Sequence, residues 1–147
     1  MPLIKYSSPN VKGYNGKVIW IELGFLKTIQ AIDDCCKNAG FIFWVTSAFR
    51  KETDVIHGAV VNPATMSNHK VGHAIDGNLQ HIATGEWFNS VKMGDKAGID
   101  QQLIEAITAH GVRFGGNFRK ADNVHFDDAL NLRDPQRWRE LYLELQG

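Results

Sequence analysis

Two short segments of the sequence hold the side chains best suited to bind a metal ion. His69, His73 and Asp76 fall within eight residues, and His125 lies further along in a mixed polar and apolar run. Imidazole nitrogens and carboxylate oxygens are ligands of zinc, which in catalytic sites keeps three protein ligands and one water, at bond lengths of about 2.0–2.2 Å. One neighbouring pair and the distant His125 would supply such a set if the fold brought them together.

The spacing alone leaves the ligand set open. His69 and Asp76 are seven positions apart, so on one unbroken strand they would point to opposite faces. Gly72 lies between them and can supply a turn that lets both reach one ion. His73 is the rival ligand, at a spacing from His69 that suits a helix, but Gly72 and the β-type neighbours argue against a helix there. Most histidines and aspartates in loops are solvated or hydrogen-bonded without any metal.

Both helices and strands are predicted to position these segments. Apolar residues recur at helical spacing from about residue 22 to Gly40, from 96 to 110, and after Asp134 and Pro135. Short apolar runs predict strands over 41–47, 73–79, 112–114 and 124–126. We interpret residues 50–72 as a long loop with room for a short helix, and residues 1–20 as an irregular arm. The whole chain, 1–147, is expected to form one α+β domain.

The composition excludes several classes of protein. Sixteen basic and sixteen acidic residues give the 147-residue chain a net charge of zero, without the electrostatic footprint of a nucleic-acid binder. No run approaches the roughly 20 apolar residues of a membrane span. The first residues lack a basic region followed by an apolar one, so we expect no secretory signal. Cys35 and Cys36 are adjacent and are predicted to be buried free thiols.

Four ordered segments carry a resemblance to a known family. Residues 67–76, SNHKVGHAID, fit the Ser-x-His-x-x-Gly-x-Ala-x-Asp motif of the zinc D-Ala-D-Ala carboxypeptidase family, which includes VanY- and VanX-type enzymes and the L-alanyl-D-glutamate endopeptidases of phage endolysins. Residues 46–50 are similar to the Ser-Gly-Tyr-Arg element of this family, and residues 112–118 are similar to the Trp-Gly-Gly-Asp-Trp segment of its endolysin branch. Residues 122–126 are similar to its acid-x-x-His-aromatic element. Ala48, Phe49 and Val124 depart from the family pattern. The resemblance covers about residues 41–127.

This resemblance implies a metal site and its catalytic partners. One zinc ion would be held by His69, Asp76 and His125, and Asp122 would be the general base. Arg50 would bind the substrate and steady its carbonyl. Ser67 would help to position the substrate or the loop. Apart from the resemblance, we interpret His73 as a residue beside the metal site or on the cleft wall that does not bind the ion. The implied fold is a small antiparallel sheet with flanking helices, similar to Hedgehog domains and D-Ala-D-Ala peptidases.

The resemblance also implies a function, a zinc peptidase that hydrolyses an amide bond of the peptidoglycan stem peptide. Carboxypeptidase-type members usually have Glu at the base position and endolysin-type members often have Asp, so Asp122 favours an L-alanyl-D-glutamate endopeptidase. A D-Ala-D-Ala carboxypeptidase is the alternative, and an inactive zinc-containing wall-binding or virion module is a further one. We expect a monomer without nucleic-acid or membrane partners. It would be made in the cytoplasm and would act on the cell wall after release or export, with phage lysis the favoured setting.

Several neighbours of these motifs have two interpretations. Asp127 and Asp128 could orient His125 through its other ring nitrogen, although we interpret them as a solvated pair. Trp44 lies in an apolar pattern and is predicted to be in the core. Trp87 follows a turn, where it could either pack or line a substrate cleft.

Overall fold

The computed structural model describes residues 3–52, 66–118 and 121–146. Its strands are β1 (Leu3–Tyr6), β2 (Val11–Gly13), β3 (Ile19–Glu22), β4 (Phe41–Ser47), β5 (Ala74–His81), β6 (Trp87–Phe88), β7 (Arg113–Phe114) and β8 (His125–Asp127). Its α-helices are α1 (Leu26–Ala39), α2 (Gln101–Thr108), α3 (Leu130–Arg133) and α4 (Pro135–Gln146). Single 3-10 turns lie at Tyr14–Gly16, Leu23–Phe25, Asn68–Val71 and Gly115–Asn117. The predicted mixture of helices and strands is confirmed.

The main sheet has the strand order β2-β4-β5-β8-β7, and β6 pairs with the far end of β5. Its neighbouring strands are antiparallel, except that β2 runs parallel to β4. The prediction of an antiparallel sheet therefore holds for its centre and is wrong at the β2 edge. The difference arises because a stretch that we interpreted as irregular supplies the edge strand.

The prediction of an irregular arm over residues 1–20 is wrong. Strand β1 pairs antiparallel with β3, from Leu3 opposite Glu22 to Tyr6 opposite Ile19, and β2 joins the main sheet. These strands have only three or four residues, which is too short for alternation to stand out among the Ser, Pro, Asn and Gly residues of the turns. Their pairing partners lie far along the chain, so the strands are stabilised by tertiary contacts.

The core lies between the inner face of the sheet and helices α1 and α2. Helix α1 contributes Ile29, Ile32 and Cys36, all fully buried, and ends at Gly40, whose φ of 77° is the left-handed conformation typical of a helix C-terminus. Both of these features were predicted, as were the two buried free thiols. Helix α2 is shorter than predicted, because residues 94–100 form turns in which the buried Asp100 carboxylate accepts a hydrogen bond from the Gly94 amide at 3.0 Å.

Along β4 and β5, the two faces of the sheet differ in burial. Phe43, Val45 and Leu79 point into the core, whereas Trp44 lies half-buried on the outer face. The prediction that Trp44 belongs to the core is wrong, because the unbroken apolar run of β4 hides the period-two alternation that assigns its residues to opposite faces.

Helix α4 holds the loop that precedes β5. The Gln146 amide donates hydrogen bonds of 2.8 Å to both the Arg50 and the Lys70 carbonyls, and the Trp138 indole donates to the Ser67 carbonyl at 3.2 Å. Trp138 is buried, as predicted. Among the described helices, none combines the length and the apolar character needed to cross a membrane.

Candidate metal centre

Three elements bring the predicted metal ligands together on the outer face of the sheet. Asp76 lies on β5 and His125 on β8, and the two residues are direct partners in the antiparallel register. Cross-strand partners project to the same face of a sheet, so their side chains meet. His69 comes from the 3-10 turn that precedes β5. The sheet register thus joins residues that are 49 positions apart.

The turn at Gly72 lets His69 fold back over β5. Gly72 has a φ of 73°, and its carbonyl accepts a hydrogen bond from the Glu22 amide at 3.0 Å. A Cβ at this position would lie 2.5 Å from the Glu22 nitrogen. Both the left-handed conformation and the close approach therefore require glycine, and the predicted role of Gly72 as the turn is confirmed. At the start of the 3-10 turn, the Ser67 hydroxyl accepts a hydrogen bond from the His69 amide at 3.3 Å.

The three side chains converge on one point. His69 Nε2 lies 3.0 Å from Asp76 Oδ1, and His125 Nδ1 lies 3.0 Å from the same oxygen. The two imidazole nitrogens are 3.2 Å apart. Both histidines are buried, at 2% and 7% exposure, and Asp76 is nearly so. Within the described ranges, this is the set of His, Cys, Asp and Glu side chains whose geometry could hold a metal ion.

The outer ring nitrogens of both histidines have acceptors of their own. His69 Nδ1 donates to the Ala48 carbonyl at 2.7 Å, and His125 Nε2 donates to Asp127 Oδ2 at 2.6 Å. In the neutral rings these contacts place the proton on the outer nitrogen and leave the inner nitrogen with a lone pair. Two nitrogen lone pairs and a carboxylate oxygen then face one another, an arrangement that a cation stabilises.

Asp127 is one of two acidic residues near the site for which the structure corrects the sequence-based interpretation. It is 1% exposed, it accepts the hydrogen bond from His125, and the Arg113 guanidinium donates two hydrogen bonds to it at 2.9 and 2.8 Å. The interpretation as a solvated residue is therefore wrong, and the alternative that it orients His125 is confirmed. The two residues lie on the same face of β8 because they are two positions apart. That spacing was visible in the sequence and could have been used.

In the metal-free protein, the charged side chains of the cluster shift one another's pKa values. Burial raises the pKa of Asp76, but the positive charge of His69 and hydrogen bonds from both histidines outweigh it and hold that pKa well below its usual range. Burial lowers the pKa of His125, but its hydrogen bonds to Asp127 and Asp76 outweigh burial and raise the pKa to about 9. A metal ion must therefore displace a proton from His125.

Asp122 lies beside the cluster. Its amide donates to the Gly115 carbonyl at 2.8 Å, and its carbonyl accepts from the His125 amide at 3.1 Å. Burial raises the pKa of the half-buried Asp122 carboxyl, as does the negative charge of Asp76, against the opposing charges of His125 and His69. The carboxylate is thus in the electric field of the whole cluster. A Cβ on Gly115 would lie 2.1 Å from the Asp122 carbonyl oxygen, so only glycine fits there.

Arg50 is tied to the ligand loop through its main chain. Its amide donates to the His69 carbonyl at 2.9 Å, and its carbonyl accepts from Gln146. The main chain of Arg50 therefore lies next to His69, a predicted metal ligand, and the residue is half-buried. Ser67, by contrast, uses its hydroxyl as the helix cap described above, which favours the alternative that it positions the loop.

His73, the rival ligand, lies outside the cluster. It is 3% exposed, and its nitrogens pair with Glu22 Oε1 at 2.8 Å and Asp128 Oδ2 at 2.7 Å. Burial lowers its pKa, but the two carboxylates outweigh burial and raise it. Both ring nitrogens are used in this second network, in which Arg133 also pairs with Asp128. The solvated interpretation of Asp128 is wrong for the same reason as for Asp127.

The comparison with protein families agrees with the motifs. Residues 61–128 match a family model described as D-alanyl-D-alanine carboxypeptidase. The matched range contains the three clustered residues and Asp122, whereas Arg50 lies before it. No curated protein matches the chain. The resemblance seen in the motifs is confirmed over residues 61–128, where the chain is similar to the D-alanyl-D-alanine carboxypeptidase family.

Proposed function

We propose that the chain is a zinc-dependent peptidase that hydrolyses an amide bond in the stem peptide of peptidoglycan. The observation that carries this proposal is the convergence of His69 Nε2, Asp76 Oδ1 and His125 Nδ1 at mutual distances of 3.0–3.2 Å. Tetrahedral zinc with bonds of about 2.0–2.1 Å holds its ligand atoms about 3.3–3.4 Å apart, so the three atoms need to move only slightly to bind one ion.

The donor set fits zinc better than the common hard cations. Two imidazole nitrogens and one carboxylate oxygen suit a borderline metal, whereas magnesium and calcium prefer all-oxygen sites. Three protein ligands also leave one position for water or substrate, which distinguishes catalytic zinc sites from closed structural ones. Zinc bound there would supply Lewis-acid chemistry, because it polarises a carbonyl oxygen and lowers the pKa of water from 15.7 toward about 7.

Asp122 is the proposed general base. Its carboxylate accepts a proton from the attacking water and passes that proton to the leaving amine, a transfer that typically contributes about 10²–10⁴-fold in rate. A carboxyl group that works in both directions is served by a raised pKa, and burial together with the charge of Asp76 raises the pKa of Asp122. The main-chain bond from His125 to Asp122 couples the position of the base to that of a ligand.

Arg50 and Ser67 complete the proposed site. The guanidinium of Arg50 would bind the scissile carbonyl and stabilise the negative charge that develops on its oxygen in the transition state. Support for this role comes from the resemblance and from the hydrogen bond that ties the Arg50 main chain to His69. Ser67 would act through the loop, because its hydroxyl caps the turn that carries His69.

Within this reaction class, an L-alanyl-D-glutamate endopeptidase is the first choice. It is supported by Asp122 at the base position and by residues 112–118, which resemble the endolysin branch. A D-Ala-D-Ala carboxypeptidase is the second, and the description of the matched family favours it. We further propose that residues 1–147 form one catalytic domain of the Hedgehog and D-Ala-D-Ala peptidase type. It would act as a monomer on the bacterial wall, with phage lysis as the favoured setting.

Mass spectrometry of purified sacculi digested with the zinc-loaded protein tests this proposal. A new amino-terminal D-glutamate would identify the endopeptidase, and release of free D-alanine would identify the carboxypeptidase. The Asp122→Asn variant should keep one zinc and lose activity by about 10²–10⁴-fold. Zinc binding without any cleavage by the wild-type protein would instead support the inactive wall-binding module.

A further inference from the structure

The outer face of the main sheet carries an aromatic cluster that the proposed mechanism does not use. Tyr14, Trp44 and Trp87 contact one another, with ring centroids 6.1–6.4 Å apart. Tyr14 is 43% exposed and Trp87 is 42% exposed, while Trp44 is half-buried. We call these three residues the aromatic platform.

The platform lies on the same sheet face as the metal cluster. Along β5, Asp76, Asn78 and Gln80 alternate with core residues and therefore share the outer face. Trp44 is the register partner of Asn78, and Trp87 is the partner of Gln80. At about 3.3 Å per residue, the platform starts about 7 Å from Asp76 along the strand and extends to about 13 Å.

The chemistry of the platform suits a sugar. One face of a pyranose ring presents C–H groups that pack on the negative face of an aromatic ring, while its hydroxyl and N-acetyl groups seek hydrogen bonds at the edges. The rings of the platform are bordered by the polar side chains of Asn78 and Gln80. The Trp44 indole donates to Gln80 Oε1 at 3.0 Å, and the Lys12 ammonium lies 4.8 Å from the centroid of the Trp44 ring. The Lys12 ammonium thus lies over the half-buried Trp44 ring, while the exposed Tyr14 and Trp87 rings, beside amide side chains, match an amphipathic, uncharged polyol.

We propose that the aromatic platform binds the β-1,4-linked N-acetylhexosamine strand that carries the stem peptide. The proposed placement rests on the function proposed above. In peptidoglycan, the L-alanine carbonyl is separated from its sugar ring by one residue and a lactyl group, about 7 Å when extended at about 3.5 Å per unit. The D-Ala–D-Ala bond is at least five such units away, about 17 Å. The near edge of the platform, about 7 Å from Asp76, is therefore within reach of the L-alanyl-D-glutamate bond of an extended stem peptide, whereas the D-Ala–D-Ala bond would reach the site only with a bent stem.

Titration of the ¹⁵N-labelled protein with tetra-N-acetylchitotetraose, followed by NMR, tests this proposal. The probe has the sugar backbone without any peptide, so its binding does not depend on zinc or on hydrolysis. The chain has four tryptophans, which give separate indole N–H signals. We expect saturable shifts of the Trp44 and Trp87 signals, with the signals of Trp20 and Trp138 unchanged.

Two matched variants identify the surface responsible. Trp87→Ala should weaken saccharide binding by about three- to tenfold, the range expected for one aromatic contact. Trp20→Ala should leave it unchanged, since Trp20 is 39% exposed and also has a lysine over its ring, but lies on β3 outside the main sheet. The proposal is overturned if wild type shows no saturable shifts, or if both variants bind equally. A change of oligomeric state in Trp87→Ala with saccharide binding intact would also overturn it, in favour of a protein contact.

A kinetic comparison separates this proposal from the function on which it rests. For a disaccharide-tetrapeptide, Trp87→Ala should raise KM by about three- to tenfold, with kcat unchanged. For the same peptide without sugar, wild type and variant should have equal KM. If neither substrate is cleaved, the proposed function fails while the NMR titration still decides whether the platform binds sugar. An equal effect of the variant on both substrates would contradict the proposed role of the platform in binding the sugar of the substrate.

Discussion

Replacing Asp127 with asparagine tests whether the buried carboxylate behind His125 tunes the metal site. Asp127 accepts the 2.6 Å hydrogen bond from His125 Nε2 and is also paired with Arg113. A hydrogen bond to a charged group contributes about 1.5–3 kcal/mol net, which corresponds to about 10- to 150-fold in affinity. Residues in this position behind metal-binding histidines typically contribute about 10–100-fold in metal affinity. We therefore expect the zinc Kd of Asp127→Asn to rise by about 10–100-fold.

The pH of the measurement decides how much of this loss is visible. Asp127 also raises the pKa of His125 in the metal-free protein, so removing its charge makes the competing proton easier to displace. This effect offsets part of the loss near pH 7 and little of it near pH 9. Competition with a chromophoric zinc chelator at both pH values should therefore show the larger difference at the higher pH.

Asp128→Asn is the matched control, because this neighbouring carboxylate pairs with His73 and Arg133 instead of His125. The zinc Kd of this variant should stay within about threefold of the wild-type value. That change is well below the one expected for a residue that is hydrogen-bonded to a metal-binding histidine. Urea unfolding of both metal-free variants shows whether each remains folded. The reasoning would be refuted if the folded Asp127→Asn protein bound zinc at pH 9 as tightly as wild type does. It would also be refuted if Asp127→Asn and Asp128→Asn had the same zinc affinity.

Three further predictions follow from the same contacts. Zinc binding to wild type should weaken about tenfold per pH unit from about pH 9 to 7, since the His125 proton must leave, as measured by chelator competition; a flat profile would contradict this. Gly115→Ala should lower kcat by about 10²-fold, because its Cβ would lie 2.1 Å from the Asp122 carbonyl oxygen and would displace the base; normal turnover by the folded variant would argue against this placement. His73→Gln should destabilise the metal-free protein by about 3 kcal/mol in urea unfolding, because Glu22 and Asp128 lose their partner. The raised pKa of His73 makes this difference largest below pH 6.5 and smaller as pH rises through the folded-state pKa; a difference that grows with pH would contradict the assignment.

The residues of the candidate site could be recognised from the sequence where the signal is local. His69, Gly72 and Asp76 lie in one short motif, and His125 follows an acid at a fixed spacing. The register that places His125 opposite Asp76 is a property of the sheet, and no local pattern reports it. The resemblance to a family supplied that information, and the structure agrees with it.

The parts that could not be predicted depend on long-range pairing. Strand β2 gains its partner from β4, about 30 residues later, and the short arm segments carry no alternation of their own. The spacing of Asp127 from His125 is visible in the sequence, but its second partner, Arg113, comes from the neighbouring strand β7 and is not. Trp44 was misplaced because an apolar strand does not reveal which of its faces is covered. In each case the deciding contact comes from a distant part of the chain.

We propose that one zinc ion, held by His69, Asp76 and His125, makes the chain a peptidoglycan peptidase. The most direct test titrates the metal-free protein with zinc and follows the release of new amino groups from a purified disaccharide-peptide. We expect no release of amino groups without zinc. The rate of release should rise linearly with added zinc and should reach a plateau at one equivalent of zinc per chain. Hydrolysis by the metal-free protein, a plateau at two equivalents, or no hydrolysis at any zinc concentration would contradict the claim.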